Sequence, residues 1–89
     1  MDLVVGRVYR AKKPAMGNGF LVNDRVITWI SSGGEHVQYD GPSVAMGRRF
    51  PTVLRGAFEK WASHDVTDEL PKDAFMGWSD YQAKKAVKA

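Results

Sequence analysis

The feature that most limits how this sequence can fold is its punctuation: in the first half, strand-length runs of β-branched and aromatic residues are each cut off by turn-forming clusters. Leu3 to Ala11 reads as a strand, and Lys13-Pro14-Ala15-Met16-Gly17-Asn18-Gly19 ends it. Phe20-Leu21-Val22 and Val26 to Ser31 flank Asn23-Asp24-Arg25, whose Asn and Asp tolerate the positive φ of a tight hairpin. Ser32-Gly33-Gly34-Glu35 makes a second turn, His36 to Asp40 returns as a strand, and Gly41-Pro42-Ser43 breaks it. Four strands with short connections predict a meander.

The period then changes. Leu54, Ala57, Phe58 and Trp61 recur at i, i+3, i+4 and i+7, with Thr52 as N-cap, which predicts an amphipathic helix around residues 53 to 62. Gly56 weakens that helix by roughly 1 kcal/mol. Asp65 to Pro71 supports little more than a turn, because Pro71 interrupts it. Ser79-Asp80-Tyr81-Gln82 matches a capping box, so residues 72 to 89 read as a helical extension folded back on the domain of residues 1 to 71.

The predicted class is therefore mainly β (α+β): a small bent antiparallel sheet or open barrel of four to five strands, one amphipathic helix and a short C-terminal helix. At 89 residues the chain has room for one thin core, and 44% hydrophobic residues is too many for a disordered chain. It has no cysteine, so neither disulfides nor thiolate chemistry contribute. With no basic leader followed by a long apolar run and no bilayer-length stretch, the sequence reads as cytoplasmic, without a membrane partner.

Net charge is +3, unevenly spread. Residues 1 to 60 carry nine Lys or Arg against five acids, residues 61 to 71 three acids and no Lys or Arg, and residues 72 to 89 four Lys against two Asp. These balances of +4, −3 and +2 predict local patches rather than a uniform field.

Catalytic and metal constellations are thin. Ser63-His64-Asp65 holds the residue types of a hydrolase triad, but neighbours along a strand point in different directions. His36 and His64 are the only histidines and no spacing suggests a zinc site; Asp65, Asp68 and Glu69 read as solvated acids. Gly17-Asn18-Gly19 and Gly33-Gly34 extend to no nucleotide motif and read as loop glycines. The expectation is a non-catalytic protein with no cofactor and no metal.

Binding residues are better represented. In the first strand Arg7 and Tyr9 share one face while Val4, Val8 and Arg10 share the other; in the Val26 strand Ile27 and Trp29 oppose Val26, Thr28 and Ile30. If Val4, Val8, Val26 and Ile30 point inward, then Arg7, Tyr9 and Trp29 face outward beside Lys12 and Lys13. The opposite register buries Tyr9 and Trp29. The leading expectation is a nucleic-acid-binding module using Arg7, Tyr9, Arg10, Lys12, Lys13, Trp29, Arg48 and Arg49, with Lys84 and Lys85 adding attraction. The alternative is a protein-binding accessory or inhibitor that docks through a sheet edge or through Phe75, Met76 and Trp78.

Gly6-Arg7-Val8-Tyr9, the hairpin strands and Gly47-Arg48-Arg49-Phe50-Pro51-Thr52 leading into a short helix resemble the small bent sheets of Src-homology-type and Tudor-like barrels, over residues 3 to about 62. The pattern is also similar to short uncharacterised bacteriophage and prophage proteins in which a Gly-x-x-Tyr strand opens a small barrel. The resemblance implies a small barrel-like fold and little about function; the aromatic and acidic loop pattern of a proline-peptide groove is not found.

Overall fold

The computed structural model describes residues 1–44, 47, 49–71 and 74–87. The chain runs β1 (Val8–Ala11), β2 (Arg25–Ile30), β3 (His36–Asp40), β4 (Thr52–Leu54), α1 (Arg55–Trp61), β5 (Ala62–Asp65) and α2 (Trp78–Val87), with short 3₁₀ turns at Asn18–Phe20 and Thr67–Glu69. The strands form one open antiparallel sheet in the order β4-β3-β2-β1-β5. The class is thus mainly β, with two helices. Among the described residues no helix is long and apolar enough to cross a membrane.

Connectivity forces the sheet to bend. β4 and β5 are the two edges, four strand spacings or about 19 Å apart if the sheet were flat. The seven residues of α1 join them with no linker at either end and span only about 10 Å. The edges must therefore curl toward each other over α1. Inside that curl Leu3, Tyr9, Ile27, Val37, Phe58 and Ala62 form the core, with Ile30, Tyr39, Val53 and Trp61 packed against it.

A bulge in β2 settles the register in a way that strict alternation does not allow. Ile27 pairs with Tyr39, Trp29 with Gln38 and Ile30 with Val37, so Thr28 is the extra residue. Ile27 and Ile30 consequently both join the core, and Trp29 is turned out at 47% exposure. Tyr9, expected on the same face as Trp29, is instead buried at 1%. Its hydroxyl accepts from the Val4 amide at 2.9 Å and donates to the Asp2 carbonyl at 3.0 Å, so the N-terminal segment satisfies it.

Several other expectations need correction. The hairpin around Asn23-Asp24-Arg25 does not form: Val22 bridges Met16, Leu21 bridges Gly77, and β2 pairs with β1. Thr52 lies in β4 rather than capping α1, whose N-cap position is taken by Leu54, with no side-chain cap. Of the predicted apolar stripe, Phe58 and Trp61 enter the core, whereas Ala57 and Leu54 are exposed. Ala62–Asp65 forms β5.

Arg25 closes the core beside α1. Its guanidinium lies 4.0 Å from the Trp61 ring and 4.2 Å from the Tyr39 ring, clamping helix to sheet by cation–π contact. Burial lowers its pKa, opposed by Tyr39.

The other face of β1 is also covered, which is why all four of its residues are buried. Val8, Arg10, Val22, Asp24, Val66 and Met76 form this second buried group. Gly41 is required there because a Cβ at this position would collide with the Asp24 carbonyl, a backbone atom that cannot swing aside. Gly41→Ala is expected to lower stability by about 1–3 kcal/mol, measured by urea unfolding. An unchanged midpoint would show that the Asp24 backbone can move.

Candidate functional site

A groove opens where β1 ends, between the Lys12-Lys13-Pro14 segment and α2. Two features of the chain build it. The first is the exit of β1: the Lys12 amide donates to the Trp61 carbonyl at 2.9 Å, which pins the backbone and leaves the Lys12 and Lys13 side chains exposed. The second is the docking of the C-terminal segment, through the Val22 amide to the Met76 carbonyl at 2.9 Å and the Leu21–Gly77 bridge. Gly77 thereby fixes where α2 starts.

Helical spacing then decides which α2 residues face the groove. Trp78, Tyr81, Gln82 and Lys85 stand at i, i+3, i+4 and i+7, and all four line its wider part with Lys12, Lys13 and Pro14. The Trp78 and Tyr81 rings lie 5.3 Å apart at 33°, a tilted pair. Tyr81, Lys84 and Lys85 also border a deeper part, enclosed by Arg10, Lys12, Ser63, His64 and Glu69. Lys84 and Lys85 sit in the last turn of α2, where cations complement the helix dipole.

The floor is a buried ion pair. Arg10, 6% exposed, donates from Nε to Asp24 Oδ1 at 3.0 Å and from Nη2 to Asp24 Oδ2 at 2.9 Å, while Asp24 is fully buried. A further contact runs from Nη2 to Met76 Sδ at 3.6 Å, and the guanidinium lies 5.1 Å from the Tyr81 ring. Burial works to lower the Arg10 pKa, but Asp24 outweighs it and holds the guanidinium above its ordinary value.

Electrostatically the groove is cationic. Arg10, Lys12, Lys13, Lys84 and Lys85 line it against one carboxylate, Glu69; with Asp24 compensating Arg10, three positive charges remain in excess. Among the described residues none of the four lysines is in an ion pair. Such a surface suits a polyanion.

The predicted site residues divide accordingly. Lys12, Lys13 and Arg10 are brought together with Lys84 and Lys85, Arg10 as floor rather than open surface. Tyr9 is in the core. Arg7, on β1's approach, is held by Asp65 at 2.8 Å and Asp68 at 3.4 Å, so its charge is compensated. Trp29 lies beyond the opposite end of β1, about seven residues or roughly 20 Å along the strands from Lys12. Arg49 is exposed before β4 and does not line the groove, and Arg48 lies outside the described residues. The expected docking patch is divided: Met76 is 3% exposed, Phe75 lines a depression with Val8, Val26 and Leu70, and Trp78 belongs to the groove.

Ser63-His64-Asp65 departs from strand alternation as well. The β1–β5 pairing slips between Arg10↔His64 and Ala11↔Ala62, and the resulting bulge lets Ser63 and His64 both reach the groove, with Ser63 Oγ and His64 Nδ1 2.9 Å apart. Asp65 turns away to Arg7 and Thr67. Burial works to raise the Asp65 pKa, but the hydrogen bonds from Arg7 and Thr67 prevail and hold it below the ordinary 3.8. Because the folded value is the lower one, Asp65 contributes stability above about pH 4 that disappears as pH falls through the folded value. Asp65→Asn is expected to flatten the acid limb of a stability–pH curve below pH 4; an identical limb would mean that the Arg7 contact has no energetic weight.

Tyr81 and Gln82 were missed by the sequence reading. The 78, 81, 82, 85 periodicity carried the signal, but only the docking of Gly77 shows what that helix face meets. No protein-family model matches this sequence, and no significant match is found among curated proteins or solved structures.

Proposed function

We propose that this domain is a non-catalytic module that binds nucleic acid with unpaired bases along the groove between β1 and α2. The observation that carries the reading is the placement of Lys12, Lys13, Lys84 and Lys85, on two elements far apart in sequence, around the paired rings of Trp78 and Tyr81. Lysines without acidic partners attract phosphates, and adjacent rings give bases a face on which to stack regardless of sequence.

The test is fluorescence anisotropy of a labelled oligothymidylate over a range of salt. With three to four phosphates contacted, the logarithm of affinity is expected to fall against the logarithm of salt with a slope of about −2 to −3. Absent or salt-insensitive binding would sink the reading.

A further inference from the structure

The deep part of the groove has a property that the rest lacks. Its volume is about 270 Å³, and its floor is a charged side chain that is almost wholly buried. Asp24 occupies Nε and Nη2 of Arg10. Nη1 makes no hydrogen bond among the described residues. Arg10 lines the pocket, and Nη1 is the terminal nitrogen that Asp24 does not engage.

We propose that this pocket is a phosphate-monoester subsite, which takes the terminal phosphate of a nucleic-acid strand whose bases follow onto Trp78 and Tyr81; this rests on the nucleic-acid reading of the groove. The charge fits. With Arg10 compensated by Asp24, Lys12, Lys84 and Lys85 stand against Glu69 alone, an excess of two. A monoester carries about −1.5 to −2 at neutral pH, which matches the excess of two, whereas a diester within a chain carries one negative charge. Arg10 is also pre-organised: its carboxylate partner and the Tyr81 ring hold the guanidinium plane in place before any ligand arrives, so little side-chain freedom is lost on binding.

The experiment compares one oligothymidylate bearing a 5′-phosphate, a 3′-phosphate or neither, by anisotropy, alongside titration of the ¹⁵N-labelled protein with inorganic phosphate. One phosphorylated end is expected to bind about tenfold more tightly than the unphosphorylated strand, and phosphate is expected to shift the Arg10 Nε–H resonance saturably. Lys84→Ala brings the phosphorylated-to-unphosphorylated ratio toward one. Lys13→Ala, which lies outside the pocket, weakens both strands and keeps the ratio. No saturable shift at Arg10 overturns the subsite while the groove reading stands. Failure of every strand to bind overturns the groove reading and the subsite with it. A saturable phosphate shift without any difference between the strands assigns the pocket to free phosphate or small phosphate esters and overturns strand-end binding.

Discussion

Asp24→Ala is expected to cost about 3–5 kcal/mol, because it leaves the Arg10 guanidinium buried at 6% exposure with no carboxylate to receive Nε and Nη2. Against a total stability of about 4–13 kcal/mol for 89 residues, that is about a quarter or more of what holds the domain folded. The thermal midpoint is expected to fall by roughly 15–30 °C, read by circular dichroism. The attraction itself does not require this loss; an orphaned charge does. Arg10→Met combined with Asp24→Leu is therefore expected to lose less than Asp24→Ala alone, since an apolar pair removes both desolvation penalties together. A loss under 1 kcal/mol for Asp24→Ala would mean that water reaches Arg10 freely. The same pair floors the groove, so the residue that anchors the second buried group also presents the site.

Lys12→Glu combined with Lys85→Glu is expected to lower affinity for an oligothymidylate at least a hundredfold at about 50 mM salt. The two lysines approach the groove from opposite walls, and reversing both converts an excess of three positive charges into an excess of one negative. The salt slope is expected to collapse toward zero along with the affinity. Tyr81→Ala removes a stacking face worth about 1–3 kcal/mol, roughly 5- to 150-fold, and its fold is checked by circular dichroism because the ring also lies over Arg10. Trp29→Ala serves as the contrast: Trp29 lies roughly 20 Å along the sheet from Lys12, and its loss is expected to leave affinity unchanged. Full binding by the double lysine variant, or loss through Trp29→Ala, would move the site to the outer face of β2 and β3.

Strand content, the C-terminal helix and the α1 region were legible because each rests on local pattern. β2 and β3 follow from apolar runs between turn residues, and Phe58 and Trp61 enter the core as their spacing implies. What was not legible depends on tertiary pairing. Alternation alone sets Ile27 and Ile30 on opposite faces; the bulge at Thr28 brings both inward and separates Trp29 from Tyr9. A one-residue irregularity thus parts Trp29, which faces outward as expected, from Tyr9, which joins the core. Arg10 was equally ambiguous, since its partner Asp24 lies in a segment that reads as a hairpin turn and instead packs under β1. Lys12 and Lys13 were legible as cations, and their meeting with Lys84 and Lys85 was not, because it depends on the Leu21–Gly77 bridge.

In the proposed mode of binding, the groove between β1 and α2 receives the strand. The most direct measurement is a ¹H–¹⁵N correlation titration of the full chain with an oligothymidylate. Shifts are expected to cluster at Lys12, Lys13, Tyr81, Gln82, Lys84 and Lys85, with the side-chain signal of Trp78 moving and that of Trp29 still. Shifts centred on Trp29, Gln38 and Leu54, or none at a saturating concentration, would contradict it.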